Sequence, residues 1–214
     1  MLSTNLKERF LKPTAFIESD HKDVIEFANR SIENATNPKS KAIKLFYAVR
    51  DQIAYDPYTF SLKPEKIKAS HVIATQKGFC VPKAVLMTSV FRAVGLPARL
   101  GFANLLNHIM GDELKKILKS NILAFHGYTE LYLNDQWLRV TPTFNIELCR
   151  LLNVPPVEFD GKSHATFSST DNNGNQFMEY IEYHGTFDDV PLTKIVESMM
   201  IHYPMLQEHD ELLP

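Results

Sequence analysis

The chain has 214 residues, 44% of them hydrophobic and 22% charged, with a net charge of −2 and a pI near 6.4. That length supports a sizeable core, and the balanced charge argues against a nucleic-acid surface, since the lysines between Lys63 and Lys68 and between Lys115 and Lys119 read as solvated faces. No 18-residue apolar run marks a membrane span, Met1–Phe10 lacks an apolar signal core, and two cysteines, Cys80 and Cys149, fit a reducing compartment; a cytoplasmic protein is expected.

In chain order, helical spacing runs through Asp20–Ala35 and Asn37–Gln52, the second opening on Asn37 as N-cap with Pro38 at the first helical position. A third helix is written at both ends. Pro82 fits the first turn, where its missing N–H costs nothing, and Gly95 with Pro97 closes the run near Val94. Ala84, Val85, Met87, Thr88, Phe91 and Val94 recur at helical spacing, which predicts a central helix over 81–94 covered by the rest of the fold. Cys80 stands at its entrance. Unpaired backbone N–H groups and the positive end of the helix dipole favour a thiolate there, and hence a nucleophile.

A short strand is expected at Ala98–Ala103, then an insertion, Asn104–Ser120, with a helix over Asp112–Leu118 that could act as a lid and a His108 that could approach the cleft. His126–Leu133 and Gln136–Thr141 alternate around Asn134-Asp135 and predict a hairpin. Its register sets Leu133 against Gln136, Leu131 against Leu138 and Glu130 against Arg139, and places His126 diagonal to Thr141. A histidine on a sheet facing a cysteine on a helix is a general-base arrangement. Asn153–Asn175 reads as loop, Gln176–Tyr183 as a strand, and a last helix starts at Asp189-Val190-Pro191 and ends before Pro204. Asp171–Asn175 has the wrong spacing for a calcium loop, and no metal-ligand spacing, phosphate loop or repeat is present, so neither metal nor cofactor is expected.

Gly78-Phe79-Cys80 through Arg92–Arg99, then His126-Gly127-Tyr128-Thr129-Glu130, then Trp137–Thr143, together resemble the transglutaminase-like superfamily, as a bacterial-type single-domain member. The likeness covers about 40–145, including the helix end and short extended piece Val49–Tyr55, with 146–214 as an extension packed on the same domain. It implies an α+β fold of papain-like, transglutaminase-like core, in which the Cys80 helix packs on an antiparallel sheet carrying His126 and the N-terminal helices lie across the cleft. It also implies Cys80 as nucleophile and His126 as base. The family usually has aspartate where Thr141 stands. Thr141 itself, or Asn145, Glu147 or Asp160 folding back, is left to orient the imidazole, with Thr141 and Asp160 preferred; a neutral acceptor suffices in the Cys-His-Asn form of the triad. Gln76 and the Cys80 N–H are candidate oxyanion donors, and Tyr55, Tyr128 and Trp137 candidate cleft walls.

The implied chemistry is attack on an amide carbonyl of a peptide, isopeptide or glutamine side chain through a Cys80 thioester, ending in hydrolysis or acyl transfer to a peptide or protein. The competing reading is a catalytically impaired module that binds a peptide or partner protein. An activated thiol would label with iodoacetamide at a midpoint below pH 7.5, moving upward in His126→Ala. Oligomeric state is not readable from this chain.

Overall fold

A computed structural model describes residues 4–214; Met1–Ser3, part of the segment read as lacking a signal core, lie outside the described residues. The helices are α1 (Thr4–Arg9), α2 (Lys22–Ser31), α3 (Pro38–Gln52), α4 (Pro64–Ile67), α5 (Ala69–Thr75), α6 (Cys80–Ala93), α7 (Asp112–Leu118), α8 (Ile146–Leu152) and α9 (Leu192–His202). The strands are β1 (Ala54–Tyr55), β2 (Lys77–Gly78), β3 (Ala98–Asn107), β4 (Ile122–Leu133), β5 (Gln136–Val140) and β6 (Met178–Phe187). β5-β4-β3-β6 form an antiparallel sheet, and β1 and β2 pair in parallel. This is the expected α+β architecture: α6 packs on β4 and β3 by one side and on α2, α3 and α5 by the other.

Local chemistry explains each element that positions α6. Asn37 accepts from the Ser40 N–H and Ser40 returns the bond to the Asn37 backbone, a full capping box ahead of Pro38. Gly95 takes φ +80 just past α6, the left-handed turn that lets the chain reverse into β3. Asn134 and Asp135 both adopt positive φ (50° and 63°), so the β4–β5 turn matches the strand twist and fixes the expected register, Glu130 against Arg139 and Leu131 against Leu138. The predicted strands at 98–103 and 176–183 are longer, reaching Asn107 and Phe187, because each finds a neighbour along its full length.

Every residue of α6 from Cys80 to Arg92 is buried, so its polar side chains must be satisfied internally. Thr88 bonds the Ala84 carbonyl and pairs with the Thr129 hydroxyl at 3.0 Å. Arg92 donates to the carbonyls of Ala98, Lys12 and Asp188. Lys83 donates to the carbonyls of Arg50 (3.0 Å) and Ile53, holding the end of α3 on α6. Its burial pulls the ammonium down to about 7. The folded chain therefore holds fewer protons than the unfolded one between pH 7 and 10.5, and stability should rise with pH there by up to about 1.4 kcal/mol per unit. Denaturant unfolding at pH 7 and 9.5 should show this rise in wild type and lose it in Lys83→Met; equal slopes would refute a depressed Lys83.

Candidate active site

Cys80 reaches the site because β2 delivers it. The Asp56 N–H donates to the Gly78 carbonyl in the short β1–β2 pairing, which sets Tyr55 beside the start of α6. The backbone N–H groups of Gly127, Val81 and Cys80 itself lie on the side of the sulfur and favour its thiolate. A Cβ on Gly127 would stand 3.1 Å from Val81 Cα and 3.3 Å from Ala84 Cβ, so any side chain there would have to push β4 and α6 apart by a few tenths of an ångström. Gly127 follows His126 in sequence, so the residue next to His126 is the one seated against the start of α6.

A β-bulge aims His126. Between the pairs Ala103–His126 and Leu105–Leu123, β3 advances two residues and β4 three, and Phe125 takes φ +49. Positive φ at a phenylalanine is costly and is held by its neighbours. The Phe125 N–H donates to Asn104 Oδ1 at 2.9 Å, and the Ala124 N–H donates to the Tyr203 hydroxyl at 2.8 Å, which in turn donates to the Ile122 carbonyl. His126 is 0% exposed, packs at 5.6 Å from the Phe167 ring, and neither ring nitrogen has a hydrogen-bond partner.

Burial dominates both ionisations. It pushes the Cys80 thiol up to about 11 against the three N–H groups, and pulls the His126 imidazole down to about 3. Both shifts run against the expected thiolate, because desolvation of a nearly enclosed sulfur outweighs the contribution of the helix terminus. Catalytic bonds in empty sites are commonly loose and tighten with substrate.

Thr141 is fully buried. Its N–H donates to the Ala165 carbonyl, while Oγ1 faces the Tyr180 hydroxyl without closing a hydrogen bond, as does the Phe167 N–H. Asp160 is not beside His126. Its exposed carboxylate accepts from the Lys162 and Ser163 N–H groups in a turn that sits over α3, as the contact of Gly161 with Lys39 shows. Asn145 accepts from the Tyr55 N–H and donates to the exposed Glu147, so neither turns toward the imidazole. Gln76 is an exposed left-handed cap ending α5, not a donor near the sulfur.

Of the three expected cleft walls, Tyr55 lines the cavity at Cys80. Tyr128 and Trp137 do not. Gly127 and Thr129 face α6, so Tyr128 points from the other side of the sheet and lies over Gly101, while Trp137 packs on Phe10, Tyr132 and Arg99. His108 faces Glu179 on β6 rather than the cleft. The helix α7 does cover the site, with Leu114 and Leu118 against the Cys80 cavity. Asn104, Tyr203 and Tyr180 were absent from the sequence reading; each acts across the fold, and no local spacing marks them. Among the described residues no cluster of three or more His, Cys, Asp or Glu could hold a metal.

With a thiol held protonated, iodoacetamide labelling of Cys80 should keep rising from pH 7.5 to pH 10 when followed by intact-protein mass spectrometry. A plateau reached below pH 7.5 would mean a preformed ion pair instead.

The transglutaminase-like superfamily matches residues 25–142, more than half of the chain and starting earlier than the motifs alone indicated. A protein-glutamine gamma-glutamyltransferase of Pseudomonas aeruginosa is 27% identical over 154 residues, spanning 63% of this chain and 22% of that protein. A candidate cysteine protease from Cytophaga hutchinsonii superposes with a TM-score of 0.52 at 16% identity over 87% of this chain and 55% of its own, a likeness of fold. A TGase structure overlaps with a TM-score of 0.44 at 16% identity over 62% of this chain and 34% of that one. The chain thus spans about a fifth of the curated relative and about half of the first structural one. With its cysteine-bearing helix seated on a histidine-bearing strand, the chain belongs to the transglutaminase-like superfamily.

Proposed function

We propose that the protein transfers acyl groups from an amide through a thioester on Cys80, with His126 as base and Thr141 as the neutral group that orients it. The observation that carries this reading is the seat of β4 on the start of α6, which sets Cys80 beside Gly127, the residue next to the buried, partnerless His126. In the reaction His126 takes the thiol proton as sulfur attacks the carbonyl carbon, and the backbone N–H groups that converge on the sulfur hold the developing oxyanion. His126 returns the proton to the leaving amine. Water or a second amine then attacks the thioester and frees Cys80, giving hydrolysis or transfer. Proton transfer between two neutral groups is the serine-enzyme pattern and suits the ionisations described above.

Thr141 has Tyr180 behind it, and this pair of hydroxyls is the polar neighbourhood left where the family usually has a carboxylate. Residues 1–214 are proposed to act as one transglutaminase-like unit, supported by the strap 157–165, which bonds α3 through Arg50 and Tyr47 and bridges β5 at Val140 and Ala165. The missing carboxylate favours a second reading, a module that keeps the cleft to bind peptide. Screening peptide, isopeptide and glutamine-donor substrates separates the two: turnover should fall at least about a thousandfold in Cys80→Ala and His126→Ala. Thr141→Val should lower kcat by about one to two orders of magnitude with KM nearly unchanged, less than the roughly four orders lost with a charged orienter. Turnover unaffected in Cys80→Ala would sink the enzyme reading, and binding without turnover on any substrate would favour the module.

A further inference from the structure

We infer that the acyl group delivered to Cys80 is a hydrocarbon one, an apolar aminoacyl or fatty acyl chain, and not one ending in a carboxylate. This rests on Cys80 being the nucleophile. The sulfur opens onto an inner cavity of about 50 Å³ whose walls come from the β1 end, the start of α6, α7, β4 and α9. Tyr55, Pro57, Leu114 and Leu123 also line a second cavity of about 290 Å³, so the two adjoin along one side.

No charged residue lines the inner cavity, and its polar side-chain atoms beyond the sulfur are two tyrosine hydroxyls. That of Tyr203 is already bonded to the Ala124 N–H and the Ile122 carbonyl. Tyr55 alone is left to meet a polar or charged acyl terminus, which would go largely unpaired in an apolar wall. The charged residues of the outer cavity are Asp112 and Glu113, both acidic, so a substrate carboxylate is repelled as well as desolvated. Aliphatic and aromatic walls, by contrast, reward each methylene that leaves water.

The test uses single-turnover acylation of the full chain at pH 9 by p-nitrophenyl acetate, butyrate, hexanoate and N-acetylleucine esters and by mono-p-nitrophenyl succinate. Nitrophenolate release and the acyl adduct on Cys80 are read by absorbance and intact mass, with Cys80→Ala as blank. The rate should rise about two- to fourfold per added methylene, and the succinate should fall at least about tenfold below butyrate. A faster N-acetylleucine than hexanoate ester assigns the group to peptides, the reverse to fatty acyl chains. Leu114→Arg, which places a cation in the wall shared by the two cavities, should bring succinate level with or above butyrate. Adducts that form on Cys80 at equal rates along the series, or succinate as fast as butyrate, overturn the hydrocarbon assignment alone. No adduct on Cys80 from any ester overturns it together with the nucleophile on which it rests.

Discussion

The seat of α6 on β4 governs this molecule. Gly127 lets the strand come within a few ångströms of the helix backbone, and along the same seat Thr88 and Thr129 pair their hydroxyls. A helix buried on all sides has no solvent face on which to leave polar groups, so Lys83, Ser89 and Arg92 each end on backbone carbonyls. Those contacts tie α6 to α3 and to the chain on either side of the sheet. The Cys80 end, like the middle, is buried.

Enclosure also sets the chemistry. A helix N-terminus alone would lower a thiol's pKa, but here the removal of water outweighs it, and the same removal keeps His126 neutral. A pair that starts uncharged needs a substrate to complete its geometry. The neutral Thr141, backed by Tyr180, is consistent with that economy, because a carboxylate in so dry a place would itself have to be stabilised.

The helix and the hairpin register were legible because their signals are local. Pro82 and Gly95 bracket α6, Asn37-Pro38 opens α3, and Asn134-Asp135 supplies the positive φ that a two-residue turn demands. The bulge was not legible. Nothing near Phe125 announces a left-handed backbone, and its ties come from Asn104 and Tyr203, 21 and 79 positions away from the amides they hold. Asp160 was chosen as an acid near enough in sequence to return, yet Asp-Gly is equally a turn former and the turn prevailed. Tyr128 illustrates a missed parity: once Gly127 and Thr129 meet the helix, their neighbour must point away, and the absent Cβ at Gly101 is the space its ring fills, 2.2 Å from where that carbon would be. The short α4, α5 and α8 went unread because each is under eight residues and rests on tertiary contacts more than on its own periodicity.

Tyr203 gives the architecture a temporal property. Its hydroxyl closes the strand segment that presents the imidazole, and its ring walls the space in front of the sulfur, although it is synthesised 77 positions after His126 and 123 after Cys80. On the ribosome, helix and hairpin emerge first with the kinked segment still unlatched. The wall in front of Cys80 is therefore completed only when the last tenth of the chain has joined the fold.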